Sequence, residues 1–235
     1  MKVIVLGLPR TGTQCRLSTP LLPHLETTSI ITREPVTDIG SPLSALAEAL
    51  IHLGISPVYH VREVGKNQHT PLRTEAIGAM FEVDSPWGRE EFDKILDEYE
   101  GLADYPAAIF PEELIEAYPE AAVILTVRDD GQKWHDSMMS TLIPAHAQHN
   151  HRSSQMYLLA DKYHQHCWSN EFSQHGLALY RRHNKAVRDA ASRRGRKLLE
   201  YGPGLGWAPL CEFLGFPIPT TDVPYPRADD WLGYN

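Results

Sequence analysis

A short apolar strand that runs directly into a glycine loop constrains this chain more than any other feature. The segment Lys2–Leu6 is rich in β-branched apolar residues, which is typical of a buried strand. The loop that follows reads Gly7-Leu8-Pro9-Arg10-Thr11-Gly12-Thr13. In a strand–loop–helix unit, the loop amides and the N-terminus of the next helix point to one place, which attracts anions. The sequence therefore predicts an anion site at this loop and a helix that begins near Thr13.

Composition and charge exclude several classes of protein. The chain has 235 residues, with 22 Lys and Arg against 30 Asp and Glu, so its formal net charge is −8. An acidic chain is a poor non-specific nucleic-acid binder, and no apolar run reaches the roughly 18 residues of a membrane span. Residues 1–7 are too short an apolar stretch for a signal peptide, and three cysteines cannot form a disulfide framework. We therefore expect a cytoplasmic protein without a nucleic-acid or membrane partner.

The rest of the chain alternates between strand and helix patterns. Further strands are predicted at residues 57–61, 121–127 and 197–201. Helical patterns occupy residues 45–54, 73–100 with an interruption at 85–88, 111–118, 131–139, 176–193 and 207–214. This alternation predicts an α/β fold with a central, mostly parallel sheet flanked by helices.

The spacing of the loop glycines separates three phosphate-binding templates. A dinucleotide fingerprint needs Gly-x-Gly-x-x-Gly, and Gly7 and Gly12 are too far apart for it. A nucleoside triphosphatase loop needs a lysine where this chain has Thr13, which disfavours ATP or GTP hydrolysis. The run Arg10-Thr11-Gly12-Thr13 matches a third template, the 5′-phosphosulfate loop of sulfotransferases, with Arg in place of the commoner Lys.

Together with further motifs along the chain, this loop resembles that of the P-loop sulfotransferases, in particular a soluble fungal and microbial group whose loop reads Gly-Leu-Pro-Arg-Thr-Gly-Thr. The further motifs lie at residues 57–64, 104–108, 117–129, 183–184, 206–211 and 213–219. The resemblance covers residues 1–14 and 45 to about 227. It implies a three-layer P-loop fold in which residues 1–235 form a single domain.

The resemblance also implies an activity and a donor site. The protein would move a sulfuryl group from 3′-phosphoadenylyl sulfate to a hydroxyl or amine of a small molecule, without a metal ion. Arg10 would neutralise the charge on the bridging oxygen as the phosphate leaves. The 5′-phosphosulfate would be bound by the loop residues Pro9, Arg10, Thr11, Gly12, Thr13 and Gln14.

Two residues near the strand at 121–127 are implied to hold the 3′-phosphate of the donor. Arg128 follows this strand and Ser137 lies nine residues later, where the family places an Arg and a Ser. A guanidinium fork and a hydroxyl suit a phosphate. The alternative is that Arg128 pairs with Asp129 or Asp130. Asp129 is also the best evidence for a nucleotide kinase or ATPase, which stays a competing function.

The acceptor must lose a proton as it attacks, so the sequence should contain a base. Asp104 precedes Pro106 at the place where the family puts its base, and we expect it to take this role. The alternative is that Asp104 caps the helix that follows. His60 and Glu63 lie just after a predicted strand, and each is a candidate base or acceptor contact as well as a structural residue.

The segment 146–175 is rich in histidine but lacks a recognisable metal-ligand set. The histidines are His146, His149, His151, His164, His166 and His175. Without a nearby completing Cys or carboxylate, we expect a polar lid that faces the acceptor rather than a metal site. The expected partners are a small-molecule acceptor and, as one option, a second copy of the chain in a homodimer.

Residues 16–44 interrupt the pattern that the loop leads one to expect. This segment contains 13 Ser, Thr or Pro and no Ala, whereas an Ala-rich helix begins at Ala45. Joining residue 14 to residue 45 would restore a helix directly after the loop. The segment is therefore predicted to be an insertion, either genuine or from an unspliced gene segment. Because an anion site needs that helix, an inactive or repurposed sulfotransferase-fold protein is the main alternative function.

Overall fold

A computed structural model describes residues 1–11, 42–104, 107–148 and 153–226 of the chain. These residues form five strands in one sheet, and every strand pairing is parallel. The order across the sheet is β2-β3-β1-β4-β5. The strands are β1 (Val3–Val5), β2 (Val58–Tyr59), β3 (Gly101–Leu102), β4 (Ala122–Thr126) and β5 (Leu198–Tyr201). The predicted α/β fold with a parallel central sheet is confirmed.

Helices cover both faces of the sheet and give three layers. Along β1, Val3 and Val5 pack in the core beneath α1 and α10, whereas Ile4 packs in the larger core on the opposite face. The helices are α1 (Pro42–His52), α2 (Val61–Lys66), α3 (Thr70–Phe81), α4 (Arg89–Leu96), α5 (Pro111–Ala117), α6 (Gly131–Ser140), α7 (Leu142–Ala147), α8 (Gln155–Trp168), α9 (Phe172–Arg193) and α10 (Trp207–Leu214). Within the described residues, no helix is long and apolar enough to cross a membrane.

Three local differences separate the sequence prediction from this fold. The strand predicted at 57–61 ends at Tyr59, and α2 begins at Val61, because β2 pairs with β3 over two residues. The helical pattern at 73–100 forms two helices, with Gly88 as the N-cap of α4. The strand β3 was not predicted, because Gly101–Leu102 is short and lacks β-branched residues.

The helix predicted near Thr13 and residues 16–41 of the predicted insertion lie outside the described residues. The helix α1 begins at Pro42, three residues before Ala45, so it includes the end of the segment predicted as inserted.

The parallel sheet brings four connections to one edge. His60 follows β2, Asp104 lies just after β3, the glycine loop follows β1, and Arg128 follows β4. Neighbouring strands lie about 4.8 Å apart, so these groups form a row along the carboxyl ends of the strands. Ligands bind at this edge in open parallel sheets, where the connections on either side of one strand diverge. The central strand β1 has β3 on one side and β4 on the other.

Candidate active site

Gly7 allows the loop to pass directly against the end of β4. A Cβ atom on Gly7 would lie 1.5 Å from the hydroxyl oxygen of Thr126 and 2.8 Å from its carbonyl oxygen. Even a methyl group therefore requires the loop or the strand to move. This close approach explains why the first residue of the loop is a glycine.

The structure brings together the three residues that the sequence assigned to the two ends of the donor. Arg10 Nε donates to Ser137 Oγ at 3.1 Å, and Arg128 Nε donates to the carbonyl oxygen of Arg10 at 2.7 Å. Arg10 has a φ of 66°, in the left-handed region that non-glycine residues seldom adopt. These contacts join the loop to the connection after β4 and to α6.

The two guanidinium groups influence each other electrostatically. The pKa of Arg128 is lowered, first by its burial and second by the positive charge of Arg10. A bound anion relieves this kind of repulsion between neighbouring cations. Asp130, one of the two proposed partners of Arg128, caps α6 by accepting the Gln132 amide at 2.8 Å.

Other loop residues use their polar groups inside the protein. The Thr11 side chain is buried, and its hydroxyl donates to the Leu8 carbonyl at 2.7 Å. The Pro9 carbonyl accepts the indole N–H of Trp134 at 2.7 Å. The binding role predicted for Thr11 therefore rests on its backbone amide. Pro9 has no N–H and its carbonyl is occupied, so it has no group left that donates to an anion. Gly12, Thr13 and Gln14, which the sequence also assigned to donor binding, lie outside the described residues.

A buried pair stands at the ends of β2 and β3. His60 Nε2 lies 3.1 Å from Asp104 Oδ2, and the two residues are 3% and 4% exposed. Asp104 has a φ of 72°, a left-handed conformation that Asp tolerates better than most residues. A carboxylate that contacts an imidazole out of water is an arrangement able to accept and hold a proton.

Glu63, the third candidate, belongs to a different group of side chains. Its carboxylate accepts the Tyr99 hydroxyl at 3.3 Å and the Asn67 amide at 2.9 Å. These contacts hold the Glu63 carboxylate between α2 and the segment that leads into β3. The structure thus couples His60 to Asp104 and places Glu63 in a separate network.

A polar cavity of about 500 Å³ opens beside Arg128, at the β4–β5 side of the edge. Its size falls within the roughly 300–1,000 Å³ that small-ligand sites occupy. The lining residues include Arg128, Asp129, Tyr180, Arg181, Arg188 and Glu200. The cavity therefore offers room for a ligand that reaches from the loop past Arg128.

Two of the described histidines of the segment 146–175, His146 and His164, contact each other between α7 and α8. The ring of His146 stacks on Tyr157 at 4.5 Å and lies 4.0 Å from the ring of His164. Burial, followed by the nearby His146, lowers the pKa of His164 to about 3. No group of three or more His, Cys, Asp or Glu able to hold a metal ion occurs in the described parts of the chain, which leave out His149 and His151.

Two comparisons with known proteins bear on the family of this chain. A family model described as a sulfotransferase domain matches residues 44–232. The protein named Ava biosynthesis cluster protein M, from Aspergillus versicolor, is 34% identical over 245 aligned residues. That alignment covers 96% of this chain and 80% of the relative. The chain belongs to the sulfotransferase family.

Proposed function

We propose that this protein transfers a sulfuryl group from 3′-phosphoadenylyl sulfate to a hydroxyl or amine of a small molecule. The observation that carries the proposal is the linked set of Arg10, Ser137 and Arg128 beside the buried His60–Asp104 pair. Guanidinium and hydroxyl groups can donate hydrogen bonds to a polyanionic sulfuryl donor. The His60–Asp104 pair suits removal of a proton from an acceptor. The relative's name, which refers to a biosynthesis cluster, supports a small-molecule acceptor.

In this proposal, the donor lies along the β1–β4 half of the edge. Arg128 and Ser137 hold the 3′-phosphate, and the loop amides with Arg10 hold the 5′-phosphosulfate. The hydrogen bond between Arg10 and Ser137 indicates that the two phosphate sites adjoin. The adenosine portion extends into the polar cavity beside Arg128. Because guanidinium groups and amides neutralise the donor's charge, the proposed transfer uses no metal ion.

The reaction forms one bond and breaks one bond at sulfur. The acceptor oxygen or nitrogen attacks sulfur, and the bond from sulfur to the phosphate oxygen breaks. The electron pair leaves on that oxygen of adenosine 3′,5′-bisphosphate, where Arg10 stabilises it. The acceptor proton passes to Asp104, whose carboxylate is held by His60 at 3.1 Å.

Transfer of radioactive label tests the proposal directly. The purified protein is incubated with ³⁵S-labelled donor and a panel of phenols, alcohols and amines, and labelled products are separated. We expect at least one acceptor to be labelled, and Arg10→Met to abolish labelling. Arg193→Met serves as the matched control, because Arg193 is exposed and pairs with Glu112 away from the site.

A parallel incubation with γ-³²P-labelled ATP and Mg²⁺ separates sulfuryl transfer from a kinase. Phosphorylated products without any sulfated product would overturn the proposal in favour of the kinase. If neither label is transferred and the sulfuryl donor does not bind, the protein is a non-catalytic member of the family.

A further inference from the structure

Four carbonyl groups in and just before the phosphate loop (residues 7–13, of which 7–11 are described) are held by hydrogen bonds. Each accepts a hydrogen bond from a side chain: Leu6 from His183 Nε2 at 2.6 Å, Leu8 from Thr11 Oγ1 at 2.7 Å, Pro9 from Trp134 Nε1 at 2.7 Å and Arg10 from Arg128 Nε at 2.7 Å. Three of these donors come from β4's connection, α6 and α9. The loop is therefore held by distant parts of the chain.

Holding a carbonyl on one side also directs an amide to the other side. In a planar trans peptide, the carbonyl of one residue and the N–H of the next point in opposite directions. Holding the carbonyls of Leu6, Pro9 and Arg10 against these side chains therefore turns the N–H groups of Gly7, Arg10 and Thr11 away from them. Successive N–H groups oriented in this manner form a concavity that binds anions.

The proton positions in this network follow from the acceptors. Because a carbonyl only accepts, His183 carries its proton on Nε2, and burial lowers the pKa of His183 to about 4, which keeps the ring neutral near pH 7. The Thr11 hydroxyl gives its proton to Leu8, so in the 2.6 Å contact between Thr11 and Thr126 it is Thr126 that donates. Thr126 thus holds the Thr11 hydroxyl in place, and Thr11 in turn holds the loop through the Leu8 carbonyl.

Trp134 is rigidly placed for this task. The residue is fully buried, and its ring stacks on Tyr180 with centroids 4.7 Å apart and planes 21° apart. The Tyr180 hydroxyl in turn accepts the Arg128 amide at 2.9 Å and donates to the Arg128 carbonyl at 3.1 Å. Pro9 and Arg128 are therefore positioned by the same stacked pair of rings.

We propose that Trp134, His183 and Thr126 are positioning residues that hold the phosphate loop in its anion-binding shape. The inference rests on the proposed function for the identity of the anion, but not for the shape of the loop. The proposed positioning does not involve the segment after the loop. The donors of these hydrogen bonds lie at residues 11, 126, 128, 134 and 183. In this proposal, side chains of β4, α6 and α9 together hold the loop in its anion-binding shape.

Two pairs of variants test the inference. Trp134→Phe keeps a ring in the stack but removes the N–H that binds Pro9, whereas Trp87→Phe makes the same change in the core beside Phe92. Thr126→Val removes the hydroxyl that fixes Thr11, whereas Thr126→Ser keeps it. The two readouts are hydrogen exchange of the loop amides and the affinity for adenosine 3′,5′-bisphosphate.

We expect Trp134→Phe and Thr126→Val to speed exchange of the loop amides about tenfold and to weaken bisphosphate binding roughly three- to tenfold, the effect of losing one hydrogen bond. Trp87→Phe and Thr126→Ser should match the wild type in both readouts. Unchanged loop exchange in both test variants would overturn the inference, whatever the ligand. If the wild-type protein fails to bind the bisphosphate while loop exchange responds as expected, the proposed function fails and the positioning role stands.

Discussion

The two halves of the ligand-binding edge are built in different ways. On the β1–β4 side, the loop is joined to three separate elements by hydrogen bonds that span more than 100 residues of sequence. On the β2–β3 side, the chemistry is concentrated in the buried contact between His60 and Asp104, at the ends of two-residue strands. In the proposed function, donor binding would therefore depend on contacts spread over several elements, whereas proton transfer would depend on one pair.

The largest expected effect comes from the side that holds the pair. Asp104→Asn should lower kcat about 10²- to 10⁴-fold, because an amide cannot accept the acceptor's proton. Asn also tolerates the left-handed backbone at this position, so the fold should be kept. The rate of ³⁵S transfer at saturating donor measures the effect.

The affinity for adenosine 3′,5′-bisphosphate is the control for Asp104→Asn. The comparison of the two halves predicts an unchanged dissociation constant. A variant that loses bisphosphate affinity but keeps its turnover would assign Asp104 to donor binding instead.

A smaller effect, on stability, is expected from the close approach between the loop and β4. Gly7→Ala should destabilise the protein by about 1–3 kcal/mol or more, because the added methyl overlaps Thr126. Gly65→Ala is the matched control, since no atom lies within 4 Å of a Cβ on Gly65 in α2. That change should stabilise the protein by about 0.5–1 kcal/mol.

Urea unfolding of the two alanine variants measures the difference. Equal stability of Gly7→Ala and the wild type would show that the loop is free to move away from Thr126. The hypothesis that hydrogen bonds on the β1–β4 side hold the loop in place would then be wrong.

The smallest effect is a pH dependence that His183 gives to the donor side. Burial lowers the pKa of His183 from 6.5 to about 4, so below pH 6.5 the unfolded chain binds a proton that the folded protein does not. The stability from this group is complete above pH 6.5 and is lost progressively as the pH falls towards 4. At pH 5.5 the loss is about 1.4 kcal/mol.

His183→Gln should remove this part of the pH dependence and keep a donor for the Leu6 carbonyl. Urea unfolding at pH 7.5 and 5.5 compares the variant with the wild type. His164, whose pKa is lowered to about 3 by burial and by His146, contributes a similar loss in both proteins. The same loss of stability in variant and wild type would mean that His183 is not held neutral against Leu6.

The parts of this molecule that local patterns encode could be predicted from the sequence. The strands β1 and β4 are apolar, β-branched runs, and the loop glycines have a recognisable spacing. Arg10, Asp104 and Arg128 were assigned to one site through the resemblance to the P-loop sulfotransferases, because no strand was predicted before Asp104.

The remaining features arise from contacts that no local pattern encodes. The strand β3 forms because Gly101 and Leu102 have neighbours on both sides, although neither residue favours a strand. The contact between His60 and Asp104 depends on β2 and β3 being adjacent, which the sequence does not specify. The bond from Trp134 to Pro9 joins positions 125 residues apart, so no local pattern reveals it.

In the proposed function, the β1–β4 half of the edge binds the donor nucleotide of a sulfotransferase. Calorimetric titration with adenosine 3′,5′-bisphosphate, supported by thermal unfolding, tests it on the wild-type protein and on Arg10→Met. We expect saturable binding, a stabilisation of about 2.7 kcal/mol at 100 times the dissociation constant, and a large loss of affinity in the variant. No binding of the bisphosphate, or stabilisation by ATP with Mg²⁺ alone, would contradict it.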